Sequence, residues 1–594
     1  MNYNNRDEVP EEYKWDLSTR YKDINDWEKD LEKVKKDINK ISKYKKKLLE
    51  SSDSLYNALE LKFKLIVDIQ KLYCYAHCMS DEDIENNKYF LMLSEVESLF
   101  QDFAFQSAYI TPEILKGKKS TITNYLKEEK LKKYEFYLNN LLRQKKHQLN
   151  EREEQIISKL TSTNSNYETM SNILTNSVID YGHLLVDGTK TQLLNSNYRT
   201  IITNKNRETR KEAFNMLTSN LKKYENIYSI NLISSMKQAK NIADIYEFKS
   251  VLDMDLFESN IPKKVYENLY ETIEKRLDVY HKYYNMIKRS LGLEELEYYD
   301  KDSELVNTEM TFSIEDTKIL LLNSLSILGD EYTDILEKAF NERWIDFGVY
   351  KGKTSSIYAT CNYGDHPLVL TNFLGKFTDI STLAHELGHA VHFHLSMDNP
   401  YHDWYTDLFT AEVASLTNEI LFSNYVINNS KDKDLKLTAI YNTLNTIQNN
   451  LFDAALEGEF EHKVYNMLEE GKELNTEIFN KLIYDIRKKY YGNSINLNEN
   501  ISTMWTRRMH YFRPYYLFKY ATGVSSAIYI SKKILSGDDK FKEKYLNFLK
   551  KGGSNYPHEL LLEMGVDLTK PEVINEAIDY MEELIIKFNK ISEE

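Results

Sequence analysis

From Asp23 to Glu50 the apolar residues Trp27, Leu31, Val34, Ile38, Ile41 and Leu48 recur mostly at spacings of three, four or seven, with charged side chains between them. This predicts one amphipathic helix with a buried stripe. The lysines from Lys33 to Lys47 alternate with acids on its polar face and read as a solvated surface. A second helical pair is predicted over 61–105. Helical patterning continues from 112 to 290, with breaks at 111–113 (TPE), 180–183 (DYGH) and 259–264 (SNIPKK). Residues 291–315 lose periodicity and read as a connecting segment, after which the helical pattern resumes. The character changes at 347–377, where β-branched and aromatic residues flank Tyr363-Gly364-Asp365 and predict a small β-hairpin. No internal repeat is visible.

Composition supports that picture. Glycine (18) and proline (8) together make up about 4% of 594 residues, against about 12% in average usage, so long helices with few breaks are expected. The 42% hydrophobic content excludes a disordered chain. A length of 594 residues corresponds to about four domains' worth of chain and needs no disulfide or metal staple to fold. A formal charge of −15 without a basic patch argues against nucleic acid. Three cysteines, no apolar N-terminal stretch and no run of 18 apolar residues point to a reducing cytoplasm with no membrane span. Cys74, His77 and Cys78 form a tempting cluster, but no fourth ligand lies at a matching spacing, and Cys74 and Cys78, stacked on one helix face, read as small buried residues.

The chemistry concentrates in ISTLAHELGHAVHFHL, residues 380–395. His385 and His389 are four apart and share one helix face, so two imidazoles can reach one ion. Glu386, beside the first, is placed to take a proton from attacking water. This is the H-E-x-x-H zinc signature. The flanks Leu383, Ala384, Leu387, Gly388, Ala390 and Val391 carry no charge, as a dry metal site requires, and Asp379 and Ser381 offer helix-start chemistry in front. A helix whose histidines merely pack is the competing reading. His392 and His394 are not expected as ligands, because the three-histidine pattern would need Gly at 392 and His at 395. The third ligand must come from elsewhere. Glu412 and Glu419, seven apart in the apolar run DLFTAEVASLTNEIL, are the candidates, and periodicity does not choose between them.

At these residues the chain resembles the M3 metallopeptidases, specifically oligoendopeptidase F, relatives of thimet oligopeptidase and neurolysin. The resemblance rests on LAHELGHAVH (383–392), AEVASLTNE (411–419), HYFRPYYLFKYATG (510–523), GGSNYPHELLLEMGVDLTKPE (552–572) and YKWDLSTRY (13–21), and so spans nearly the whole chain. It implies a mainly α, two-lobed zincin with a deep central channel and a small sheet beside the metal helix. It implies an N-terminal helical region over 1–110, an oligopeptidase F N-terminal domain over 111–195 and a catalytic domain over 196–594. One Zn2+ per chain is implied, held by His385, His389 and Glu412, with Ser415 completing the third-ligand element and Glu419 orienting a ligand histidine. Short unfolded peptides are the implied substrates.

The same resemblance implies that Glu386 is the general base and that His510 and Tyr516 stabilise the oxyanion. Without it, the aromatic cluster at 510–520 reads as core. Phe518 stands where some relatives carry a tyrosine, which leaves the phenol donor open among Tyr511, Tyr515, Tyr516 and Tyr520. A further departure is Ser355-Ser356-Ile357-Tyr358-Ala359, where the family tends to show Ser-Gly-Ala-Tyr-Ser. The edge still suits an extended peptide added as a strand. Two rival readings remain: a zinc exopeptidase of carboxypeptidase or dipeptidase type, and a non-enzymatic helical binding protein.

Overall fold

In a computed structural model, which describes residues 3–161, 165–306 and 310–594, Asp23 caps the first long helix by accepting the Asp26 N–H. This helix, α1 (Ile24–Ile38), buries Trp27, Leu31, Val34 and Ile38. The predicted stripe continues through Ile41 and Leu48, both buried, but the α-helix does not. Residues 39–44 tighten into a 3-10 turn and Lys46 adopts φ +67°. The reason is tertiary: the Glu113 carboxylate accepts the backbone N–H groups of Lys46 (2.8 Å) and Leu48 (2.9 Å), pulling the chain out of the helical path.

The helical pair follows as α2 (Ser52–Glu82) and α3 (Asn87–Ser107), and Cys74 and Cys78 are small buried residues of α2. The expected break at 111–113 is instead the first turn of a helix, Ile110–Lys116. Pro112 sits where an N–H has no intrahelical partner to lose. The break at 180–183 is present and leads into a strand pair that periodicity did not predict, β1 (His183–Val186) and β2 (Thr189–Gln192). Asp187 (φ +50°) and Gly188 (φ +82°) form its turn, the Asp-Gly geometry that matches strand twist. The break at 259–264 is also present, between helices Val251–Glu258 and Lys263–Lys275. Of the connecting segment at 291–315, residues 307–309 lie outside the described residues.

The predicted hairpin forms as β4 (Tyr358–Thr360) and β5 (Leu368–Leu370), antiparallel, with β3 (Ile345–Asp346) added parallel to β5 to give the order β3-β5-β4. Then come α4 (Phe377–Leu395), α5 (Leu408–Asn429), α6 (Ala454–Glu469) and α7 (Leu517–Leu535). The described residues are 72% helical, as composition led one to expect. Among the described residues no helix is long and apolar enough to cross a membrane.

Two units divide the chain. The first comprises Met1–Glu151, Met310–Tyr425 and Ile530–Met564. Its core runs from Trp15 and Trp27 through Leu55, Leu59 and Leu72 to Leu368 and Leu370, so the helices of the N-terminal region carry β5. Buried Lys353 staples the sheet by donating to Asp346 Oδ1 and to the carbonyls of Gly348 and Thr371, each at 2.6 Å. Tyr358 on the edge strand donates to Asp81 Oδ2 of α2 at 2.6 Å. The second unit comprises Arg152–Glu309, Val426–Tyr529 and Gly565–Glu594. Within it, wholly buried Asp300 accepts from Arg207 (2.8 Å) and Arg210 (2.7 Å), so the charge is paired as burial demands.

Candidate metal centre

The metal helix α4 starts earlier than Ser381 suggests. Asp379 does serve its start, accepting the N–H groups of Leu374 (2.9 Å) and Lys376 (3.0 Å) from the third helical position. Ser381 lies inside the helix, its hydroxyl 3.5 Å from Glu419. Downstream, His385 and His389 project from one face, as their spacing requires.

Their Nε2 atoms stand 3.2 Å apart, and Glu412 Oε2 lies 3.2 Å from the first and 3.5 Å from the second. A tetrahedral zinc ion about 2.0–2.1 Å from each ligand would set its ligand atoms about 3.3–3.4 Å apart, so this triangle has the size of one zinc face. Two imidazoles and a carboxylate are also the donor set of a catalytic site with one position left open. Among the described residues, this is the group of histidines, cysteines and acids whose donor atoms converge closely enough to hold a metal ion.

Glu419 does not join the triangle. Its Oε1 accepts from Nδ1 of His385 at 2.6 Å, which leaves Nε2 as the free lone pair facing Glu412. The two candidate acids thus divide the work: one faces the donor cluster, the other orients an imidazole. Ser415 Oγ lies 3.0 Å from the Glu412 carboxylate, steadying it. His392 is buried beside Phe548 and His394 lies against Trp344, so neither enters the triangle.

Burial works against charge here, and the charges answer one another. Burial alone would lower the pKa of His385, but Glu412 and Glu419 raise it well above the ordinary imidazole value. The Glu412 carboxyl is pushed up by burial and pulled further down by His385 and His389, ending below the usual range. Burial raises Glu386, opposed by the two histidines and by the N–H of Ala359, which its carboxylate accepts. Ala359 is the middle residue of edge strand β4, and the N–H groups of Val369 and Thr371 are turned toward Trp344 and Asp346. The pairs Leu370–Tyr358 and Leu368–Thr360 therefore make the β4–β5 bonds, and Ala359's backbone groups face the open edge.

The segment at 510–520 belongs to the second unit. Four tyrosines were open as phenol donors. Tyr511 is buried with its hydroxyl donating to Glu457, and Tyr515 is buried with its hydroxyl 3.0 Å from His462 Nδ1. Tyr516 and Tyr520 remain half-buried around His510, whose ring centroid is 5.7 Å from each. Burial and the neighbouring Arg508 and Arg513 lower His510 to about 4, so its imidazole is neutral at pH 7 and carries one N–H to donate.

The model of peptidase family M3 matches residues 200–580, and that of oligopeptidase F matches residues 113–181. The chain belongs to peptidase family M3. It is 33% identical to oligopeptidase PepF of Bacillus subtilis over 98% of this chain and 88% of that protein. An oligoendopeptidase F homolog of Borreliella burgdorferi is 32% identical over 99% of both chains. The crystal structure of oligoendopeptidase-F from Enterococcus faecium superposes with a TM-score of 0.75 at 25% identity, covering 96% of this chain and 99% of that one.

Within this M3 peptidase, three contributors to the site stood in the sequence only as members of a quoted segment, with no role of their own. Gly388 sits where an added Cβ would stand 2.6 Å from the Ser415 Cα and 2.7 Å from the Ala414 carbonyl oxygen, so glycine lets α4 and α5 touch. Asn418 donates to the Ala384 carbonyl (3.1 Å) and accepts from the Tyr332 hydroxyl (2.7 Å), locking the same pair of helices. Ala359 supplies a main-chain N–H, for which no side-chain pattern exists. Only Gly388 left a signal: a glycine inside a helix, which costs about 1 kcal/mol relative to alanine and so asks for a packing reason.

Proposed function

We propose that this chain is a zinc-dependent endopeptidase that hydrolyses internal bonds of short oligopeptides in the cytoplasm, its catalytic region lying over 196–594. The converging Nε2, Nε2 and Oε2 atoms of His385, His389 and Glu412, with buried Glu386 alongside, carry this reading. The relatives are an oligopeptidase and an oligoendopeptidase, which supports the substrate class. When bound, zinc supplies a Lewis acid that lowers the pKa of water toward about 7 and polarises the scissile carbonyl.

The chain's own residues supply the rest. Glu386 takes the proton of the attacking water and later hands it to the leaving amine. Its raised pKa suits both duties, because a carboxylate too weakly basic would hold the proton poorly. Edge strand β4 offers Ala359's outward carbonyl to an extended peptide, fixing the substrate backbone beside Glu386. His510 and Tyr516 donate to the oxyanion, where one such donor is worth about 3 kcal/mol in the transition state. Tyr520 is the alternative phenol.

The test is Glu386→Gln with zinc content measured alongside. A fall of at least about 10²-fold in kcat with zinc retained is expected of a lost general base. Full activity in that variant overturns the assignment. Cleavage of a peptide capped at both ends separates endopeptidase from exopeptidase.

A further inference from the structure

Tyr515 has φ +51°, a left-handed backbone that a bulky residue rarely adopts. It follows Pro514, whose ring fixes its own φ, and precedes Tyr516, after which α7 begins at Leu517. Residues held this way persist only where neighbours over-determine them, and they gather at functional sites. The neighbours here are two consecutive residues of α6. Wholly buried Glu461 accepts the Tyr515 N–H at 2.8 Å, and the Tyr515 hydroxyl lies 3.0 Å from Nδ1 of His462. The ring stacks on Tyr465 with centroids 5.4 Å apart.

A buried carboxyl is an expensive way to satisfy one N–H. Burial drives the pKa of Glu461 well above the usual carboxyl value, and the nearby cation Lys519 is held by Asp255 at 3.0 Å. Glycine at 515 would adopt the same backbone without strain but would forfeit the phenol that His462 meets. The arrangement therefore fixes both the backbone and the side chain of Tyr515.

We propose that Glu461 and His462 are positioning residues: they hold Tyr515 left-handed and thereby set the direction in which Tyr516 leaves the Pro514–Tyr515 turn. This rests on the reading of Tyr516 as an oxyanion donor. Neither residue touches substrate; each acts through Tyr515.

The experiment is a double-mutant cycle on the zinc-loaded enzyme, crossing Glu461→Ala with Tyr516→Phe, with Glu461→Gln as the conservative control. Glu461→Ala is expected to lower kcat about tenfold or more with KM within twofold and zinc content unchanged. The glutamine variant, which keeps an acceptor oxygen, should restore kcat to within about threefold of the parent. In the Tyr516→Phe background, Glu461→Ala should cost almost nothing further. Equal losses in both backgrounds, or no loss in either, overturn the proposal. Should Tyr516→Phe by itself leave kcat unchanged, the donor assignment falls first, and the positioning role falls with it. If Glu461→Ala does not fold, His462→Ala takes its place in the cycle, since it removes the other contact that holds Tyr515.

Discussion

Gly388 lies so close to Ser415 that a Cβ on it would stand 2.6 Å from the Ser415 Cα. The contact joins the helix that carries His385 and His389 to the helix that carries Glu412. All three nearest atoms, Ser415 Cα, Ala414 O and Ser415 N, are backbone, so nothing can rotate away. By propensity alone, Gly388→Ala should stabilise α4 by about 1 kcal/mol. Overpacking of this kind costs about 1–3 kcal/mol and forces the helices apart, so it wins. We expect Gly388→Ala to weaken zinc binding at least tenfold and to lower kcat/KM correspondingly, measured by chelator competition and steady-state kinetics. An alanine variant with parental zinc affinity would show that close helix approach is unnecessary.

The two acids of α5 predict a graded loss. Glu412 Oε2 completes the donor triangle, whereas Glu419 reaches the far nitrogen of His385 and the Ser381 hydroxyl. Removing an orienting partner typically costs about 10–100-fold in metal affinity. Glu419→Ala should fall in that range and Glu412→Ala well beyond it, both read by competition with a zinc indicator. Comparable losses would mean the carboxylates share the ion.

Chelation separates binding from chemistry. Stripping metal should abolish peptide hydrolysis, and returning zinc should restore it together with thermal stability. A ligand held by the folded state alone adds about 4 kcal/mol at a thousand times its Kd, so a clear rise in Tm is expected. Glu386→Gln should show the same zinc-dependent rise while remaining inactive. A variant that lost both would place Glu386 in binding rather than in proton transfer.

How much of this was legible in the sequence follows the range of the interactions. His385 and His389 lie one turn apart on a single helix, so their convergence is local geometry, and the hairpin at 358–370 announces itself by composition and a Gly364 turn. Glu412 against Glu419 was not decidable from periodicity, because two positions seven apart share a helix face. The crossing of α4 over α5 at Gly388 turns Glu412 rather than Glu419 toward the two Nε2 atoms, and that crossing is tertiary. The break after Ile38 was invisible for the same reason, since it depends on Glu113, which lies far along the chain. The β1–β2 hairpin is a different case: Asp187-Gly188 was a readable turn signal between short alternating strands. Tyr511 and Tyr515 could not be told from Tyr516 until Glu457 and His462 were seen to engage their hydroxyls.

Asp403 predicts a dependence on pH that is independent of the metal. Its Oδ1 is buried without a hydrogen-bond partner, its Oδ2 lies 3.7 Å from Nε2 of His402, whose own pKa burial lowers, and burial raises the Asp403 pKa to about 7. An unfolded aspartate titrates near 3.9. Below about pH 4 both states carry the proton and the carboxyl costs nothing. Between about 4 and 7 the unfolded chain gives up the proton while the folded one keeps it, so stability falls steadily as pH rises. Above 7 both are ionised and the penalty levels off, at most about 4 kcal/mol for three pKa units. Asp403→Asn removes the titration and leaves the main-chain bonds, Asp403 N–H to Pro400 O and Gly553 N–H to Asp403 O, both 2.8 Å, in place. The variant should match the parent in urea unfolding near pH 4 and exceed it by a margin that grows up to pH 7 and then stays constant. A margin that is flat with pH, or one that shrinks as pH rises, would mean that Asp403 is solvated or paired in the folded protein.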